Sequence, residues 1–393
     1  MDRISNLPSC IIETVLCLLP IQEAARTSIL STGWRYRWIK IPKLVFDENK
    51  FKVSSVGAEP SVLDQTFDEP SQRKEMTNRC KLFYAIYQVL LMHEGPLHEF
   101  TLRMEVDDSC VEVDHIILHL LKKNTVKKLK LDFLAGDMGF RSPISLFSLH
   151  KLTDLYLCDC ALFHERSPFK EFRCLTTLYL ERINTYEHTL LRFLSSCPLL
   201  KRLTLNTGSS TIIETQDIPI PELFKCLPLI EYLLVSFFIV ECFGPKRLPK
   251  VLPTLLVHLK HLCMKHLCFR HIYGLPFLVL LLRSSPNLEK LKLVMHPESS
   301  LDEEDLGSFK LEDYSDFMLE HLNELEIVDY SDAENELDFL KLILANSPAL
   351  KRVNIFPCCV FDEDDVSETS EALLDYPSAS PMVKITCYLS NSN

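Results

Sequence analysis

A proline followed by apolar residues two, five and seven positions later recurs four times in this chain, and that recurrence constrains the fold more than any other feature. It reads Pro198/Leu200/Leu203/Leu205, Pro228/Ile230/Leu233/Val235, Pro286/Leu288/Leu291/Leu293 and Pro348/Leu350/Val353/Ile355. A motif repeated in this way means that one supersecondary unit is built several times over. The residues ahead of the prolines read as amphipathic helix, as in His188–Ser195, Phe277–Arg283 and Glu336–Ala345. The alternating tail, such as Leu203 and Leu205 around Thr204, predicts a short strand with one buried face.

The same apolar-x-apolar strand can be followed beyond those four motifs. It appears at Phe100/Leu102, Leu129/Leu131, Leu155/Leu157, Leu178/Leu180, Leu203/Leu205, Leu233/Val235, Leu262/Met264, Leu291/Leu293, Leu325/Ile327 and Val353/Ile355, at spacings of 23 to 34 residues. One strand plus one helix per repeat of about this length is the leucine-rich-repeat plan. No repeat can bury its apolar edge alone, so the expected fold is a stacked α/β solenoid of parallel strands and helices, with irregular repeats.

Alternation also predicts which side chains the sheet offers to a partner, because the neighbours of inward leucines must point to the open face. The candidate face carries Lys130, Tyr156, Tyr179, Arg202, Tyr232, His261, Lys265, Lys290, Lys292, Glu326 and Arg352. Tyr and Arg are favoured at protein interfaces, so a protein substrate is the expected occupant.

Composition excludes other classes. Glycine occurs only 9 times in 393 residues, and no G-x-G, G-x-S-x-G or G-x-x-x-x-G-K is present. Phosphate-cradling loops and nucleophile elbows need glycine for tight turns and close backbone approach. The formal net charge of −12 argues against general nucleic-acid binding. It is unevenly spread: residues 297–338 hold 16 acidic side chains and one basic, whereas residues 242–288 hold seven basic and none acidic. The longest apolar stretches are too short to cross a bilayer, so no membrane partner is expected. The 15 cysteines show no pairing pattern and the N-terminus no signal-peptide core, which points to free thiols in cytoplasm or nucleus.

Residues 1–48 are not repeat-like. Pro8 and Ser9 suit the start of a helix that Pro20 stops, and between Cys10 and Leu19 only Glu13 and Thr14 are polar. A second helix is expected near Gln22–Leu30, and a third containing Trp34, Arg35 and Trp38. A unit this small cannot cover so much apolar surface by itself, so a partner is expected.

These residues resemble a known family. Leu7-Pro8, Ile11-Ile12, Val15-Leu16, Leu19-Pro20, Ala24–Ser28, Leu30-Ser31 and Trp34-Arg35 look like an F-box. The run Arg26–Trp38 through Leu44–Asp47 is similar to plant F-box proteins with leucine-rich repeats, and His321–Ile327 through Asn335–Leu340 and Asn346–Lys351 looks like their FBD region. The resemblance implies an F-box at 1–48, a linker and helix leading into the solenoid at 49–96, irregular leucine-rich repeats at 97–310 and an FBD-like region at 311–393 that continues the solenoid. It implies docking on a Skp-type adaptor, and through it on a cullin-RING ubiquitin ligase, by Leu7, Pro8, Ile11, Ile12, Val15, Leu16, Leu19, Pro20, Leu30 and Trp34. The chain would then be a non-catalytic substrate adaptor; a repeat scaffold without ligase recruitment is the alternative.

His258, His261, Cys263, His266, Cys268 and His271 are zinc-capable types within a short span, but no standard ligand spacing occurs and the strand reading puts only His261 and Cys263 on one face. No metal and no cofactor is assigned. Cys158-x-Cys160 and Cys358-Cys359 read as ordinary thiols, and the acidic runs Asp302–Asp305 and Asp362–Asp365 as loops.

Overall fold

The computed structural model describes residues 7–51, 69–107, 110–134, 139–162, 172–206, 213–214, 219–242, 248–269, 271–296, 317–331, 334–358 and 378–388. The acidic runs Asp302–Asp305 and Asp362–Asp365 lie outside these residues. The chain divides into two compact units, Met1–Leu175 and Thr176–Asn393.

The first unit opens with helices α1 (Ser9–Leu18) and α2 (Ile21–Arg26), each entered from a proline. The Pro8 carbonyl accepts the Ile11 and Ile12 amides, and the Pro20 carbonyl accepts the Ala24 amide. The stretch holding Trp34 and Trp38 forms tight turns ending in a 3-10 segment, Trp38–Lys40, where an α-helix is expected from the sequence. Its amides reach back three residues, Trp34 to Ser31 and Arg37 to Trp34. Strand β1 (Lys43–Asp47) follows, then α3 (Glu48–Phe51), α4 (Glu69–Met92), β2 (Glu99–Glu105), α5 (Glu112–Lys123) and β3 (Lys128–Leu134). After β4 (Phe140–Arg141) come β5 (Asp154–Cys158) and β6 (Cys160–Leu162). β1, β2, β3 and β5 pair in parallel, with Leu44, Phe100, Leu129 and Leu155 in one row. The sheet therefore starts inside residues 1–48.

The second unit repeats the plan. Its elements are β7 (Thr177–Glu181), β8 (Asn184–Tyr186), α6 (Glu187–Ser195), β9 (Arg202–Asn206), β10 (Ile213–Glu214), α7 (Ile220–Lys225), β11 (Tyr232–Ser236) and α8 (Phe238–Cys242). They continue through β12 (His261–Leu267), α9 (Gly274–Arg283), β13 (Lys290–Met295), β14 (Glu324–Tyr330), α10 (Glu334–Asn346), β15 (Arg352–Pro357) and β16 (Lys384–Cys387). The parallel order is β7-β9-β11-β12-β13-β14-β15-β16. Leu178, Leu203, Leu233, Leu262, Leu291, Leu325 and Val353 fall in one buried row. This is the leucine-rich-repeat architecture: parallel strands, one per repeat, with helices behind.

The prolines of the recurring motif each sit second in a turn between helix and strand. The amides of Leu200, Ile230, Leu288 and Leu350 bond the carbonyls of Cys197, Leu227, Ser285 and Ser347 at 3.2 to 3.4 Å. Proline presets the backbone angle wanted there. A second recurrent device lies at the C-terminal ends of strands, either next to last in the strand or just past it. Asp159, Arg182, His266 and Asp329, each five residues beyond the first residue of its strand, adopt positive φ of 47° to 59°. In a glycine-poor chain, polar side chains occupy this left-handed position.

Candidate functional site

Two surfaces offer themselves to partners. The first lies on α1 and on the residues that follow α2, and it divides the docking residues expected from the sequence. Ile12 and Leu16, one turn apart, are 1% and 0% exposed, and Trp34 is 5% exposed, so all three pack into the unit's own core. Leu7, Ile11, Val15, Leu19 and Leu30 are exposed, as are Pro8 and Pro20, which start the two helices. The most exposed apolar side chains are two that the sequence reading omitted, Leu18 at 80% and Ile29 at 87%. Ile11, Val15 and Leu18 stand four and three residues apart, the spacing of a helical stripe. The near-continuous apolar run from Cys10 to Leu19 was the signal for this: one stripe serves the core and the other faces outward.

The second surface is the open face of the sheet. In the first unit Lys130 places its Nζ 4.2 Å from the centre of the Tyr156 ring. Its cations are matched: Lys43 and Lys128 lie at 3.5 and 3.4 Å from Glu99, and Arg103 and Lys130 at 3.9 and 3.6 Å from Asp132.

In the second unit register sets out two rows. Arg202, Tyr232, His261, Lys290, Glu324 and Arg352 form one; Thr204, Leu234, Cys263, Lys292, Glu326 and Asn354 form the next. Tyr179 begins the second row beside Thr204, and its hydroxyl donates to Glu181 at 2.8 Å. The Arg202 guanidinium stacks 4.4 Å from the Tyr232 ring centre, and Tyr232 meets His261 edge to face at 6.3 Å. Lys290 bonds Glu324 at 2.7 Å, Lys292 bonds Glu326 at 2.6 Å, and Arg352 approaches Glu324 at 3.5 Å. Between them opens a depression of about 350 Å³. Burial pushes the His261 imidazole below its usual range, and the nearby Lys290 and Arg202 charges push it further.

The His/Cys group does not converge. His261 and Cys263 line the depression, His266 faces Phe238 and His296, and His271 packs on Phe237. Among the described residues no three His, Cys, Asp or Glu side chains are placed to hold a metal ion. Burial pushes the Cys110 thiol up to about 11 and Cys197 up to about 12, and it raises Cys160 as well. Such thiols stay protonated at neutral pH and are poor nucleophiles. No helix among the described residues is long and apolar enough to cross a membrane.

Comparison with known proteins places this architecture. The Arabidopsis thaliana F-box/FBD/LRR-repeat protein At1g13570 is 30% identical over 98% of this chain and 98% of its own. The chain belongs to the F-box/FBD/LRR-repeat family. Another member, At2g04230 of Arabidopsis thaliana, is 29% identical over 56% of this chain and 46% of its own length. Two family profiles fall on the repeats: one described as "FBD-associated F-box protein At5g56370, LRR repeats" matches residues 115–218, and the FBD profile matches residues 317–355. The FBD match spans β14, α10 and most of β15, so in this family member the FBD segment is built as further repeats of the same sheet. The solved structure of an internalin from Listeria monocytogenes overlaps 69% of this chain and 78% of its own, at 13% identity and a TM-score of 0.32, too weak a likeness to bear on the reading.

Proposed function

We propose that this F-box/FBD/LRR-repeat protein is the substrate-recognition subunit of a Skp–cullin–F-box ubiquitin ligase. In this reading the helical N-terminal segment docks on the Skp-type adaptor, and the open face of the repeats holds a protein substrate. The observation that carries it is the outward stripe of Ile11, Val15 and Leu18 on α1, together with the exposed Ile29 and Leu30 that follow α2. Leaving that much apolar surface in water is costly, at about 1.5–3 kcal/mol per large side chain, and a permanent partner removes the cost. The chain contributes no catalytic group. It acts by proximity, keeping a substrate lysine near the ligase's charged ubiquitin carrier so that transfer becomes a local encounter. We place it in cytoplasm or nucleus, where its free thiols stay reduced.

Co-purification with a Skp-type adaptor tests this. Wild-type chain should capture the adaptor, and the double variant Leu18→Ser/Ile29→Ser should lose capture while folding normally. If the wild-type chain captures none, the protein is instead a repeat scaffold without ligase recruitment.

A further inference from the structure

The open face of the second unit carries a positive excess in an acidic protein. At its alternating positions stand the cations Arg202, Lys265, Lys290, Lys292, Arg352 and Lys384, against the carboxylates Glu181, Glu324 and Glu326, a surplus of three. Asp329 belongs to the left-handed bend beyond these rows. The corresponding face of the first unit has four cations (Lys43, Arg103, Lys128 and Lys130) against five carboxylates (Asp47, Glu99, Glu105, Asp132 and Asp154). The whole chain carries −12, so this excess is local.

The surplus is also poorly neutralised from within. Lys290, Lys292 and Arg352 share two glutamates. Arg202 and Lys265 have no carboxylate within ion-pair distance among the described residues. Stacking on Tyr232 fixes the plane of the Arg202 guanidinium and leaves its N–H edges available, the arrangement in which arginine grips a carboxylate with least loss of freedom. His261 stands between Arg202 and Lys290 in the row; burial first, and then the Lys290 and Arg202 charges against an opposing Glu289, disfavour its charged form.

Spacing narrows the occupant. Arg202 and Lys290 lie three strands apart, roughly 14 Å at the usual interstrand distance, which an extended chain crosses in about four residues. The rings of Tyr232 and His261 fill the interval. We infer that this face binds an extended acidic segment of a protein, with two carboxylates four residues apart on Arg202 and Lys290 and an apolar side chain between them on Tyr232 and His261. This rests on the proposed substrate role of the open face and gives it a chemical class.

The test uses the full chain and a fluorescein-labelled peptide, Gly-Glu-Ala-Leu-Ala-Glu-Gly, read by fluorescence anisotropy. Wild-type protein should bind it about tenfold or more tighter than the same peptide with both glutamates replaced by glutamine, and binding should weaken in 0.5 M NaCl as expected of charge pairing. Arg202→Glu and the milder Arg202→Gln should each lose most of the binding with an unchanged circular dichroism spectrum. Lys225→Glu, a charge reversal on α7 away from the face, should bind normally. Equal binding of the glutamine peptide, or undiminished binding by both Arg202 variants, would overturn the inference. Adaptor capture is measured on the same variants. Peptide binding lost with capture intact supports this site, whereas wild-type protein that binds peptide but no adaptor removes the ligase reading and leaves the acidic-segment site standing.

Discussion

Lys290 and Glu324, on neighbouring parallel strands and 34 residues apart, meet at 2.7 Å, and Arg352 on the next strand reaches the same carboxylate at 3.5 Å. Glu324 belongs to the acidic block of residues 297–338, and Lys290 stands in the short interval between that block and the basic one before it. Lys290 is half exposed, so the bridge is worth on the order of 0.5 kcal/mol at neutral pH. The Lys290 ammonium nonetheless holds the Glu324 carboxyl below its usual range. A depressed carboxylate adds stability above its unfolded value, near pH 4.3, and that stability is lost as pH falls through the folded value. Lys290→Met should therefore cost little at pH 7 and narrow the stability difference between pH 7 and pH 3 in urea unfolding. A loss above about 2 kcal/mol at pH 7 would mean that Lys290 is a packing residue.

Gly274 begins α9 where a side chain has no room. An added Cβ would fall 1.9 Å from the Cys268 carbonyl oxygen, so backbone must move. Gly274→Ala should destabilise the second unit by about 2–3 kcal/mol, as overpacking does. Gly33→Ala meets nothing closer than Ser31 Oγ at 3.7 Å and serves as the neutral comparison. Denaturant midpoints for the two variants check this, and equal midpoints would refute it.

The ten central strands were legible because leucines at period two stay regular over many repeats. Leu44/Phe46 in β1 carries the same signal, but it lies within residues that read as the N-terminal motif. β16 has only Ile385 as a large apolar residue, and that residue is partly exposed, so no alternation announces it. Parity also told which side chains share the open face. It could not tell that Lys292 would bond Glu326, because that needs the register between two strands separated by a long insertion. Trp34 stands among the docking residues only through the resemblance to an F-box; the tight turns that form where a helix was expected carry it into the core.

The division of α1 into an inner and an outer stripe separates stability from partner binding. Leu16→Ala empties a fully buried position and should cost about 2–5 kcal/mol. Leu18→Ala, two residues on and mostly in water, should change stability by less than about 0.5 kcal/mol and weaken adaptor capture. Thermal melts and pull-downs of the two variants in parallel give the readout. If Leu16→Ala lost capture without loss of stability, the inner and outer assignments would be reversed.

His93 ties three segments of the first unit together and makes its stability sensitive to mild acid. It is 5% exposed, its Nε2 lies 2.8 Å from the Ile41 carbonyl, and its Nδ1 lies 3.0 Å from Lys123 Nζ. Both contacts fit a neutral ring, with Nε2–H donating to Ile41 and Nδ1 accepting from the ammonium. Burial lowers its pKa, and the Lys123 and His119 charges lower it further. The unfolded chain therefore takes up this proton first, near pH 6.5, and the folded chain only at lower pH. Above pH 6.5 the group contributes no pH dependence; below it, stability falls until the folded value is passed. Other lowered histidines, His119, His261 and His266, add to the same trend. The comparison is therefore a difference curve. His93→Gln should be less stable than wild type at pH 7.5, having lost a shaped buried contact, and the gap should close as pH falls from 6.5 toward 5. Parallel wild-type and His93→Gln curves across that window would show that His93 ionises alike in both states and does not set the acid limit of the unit.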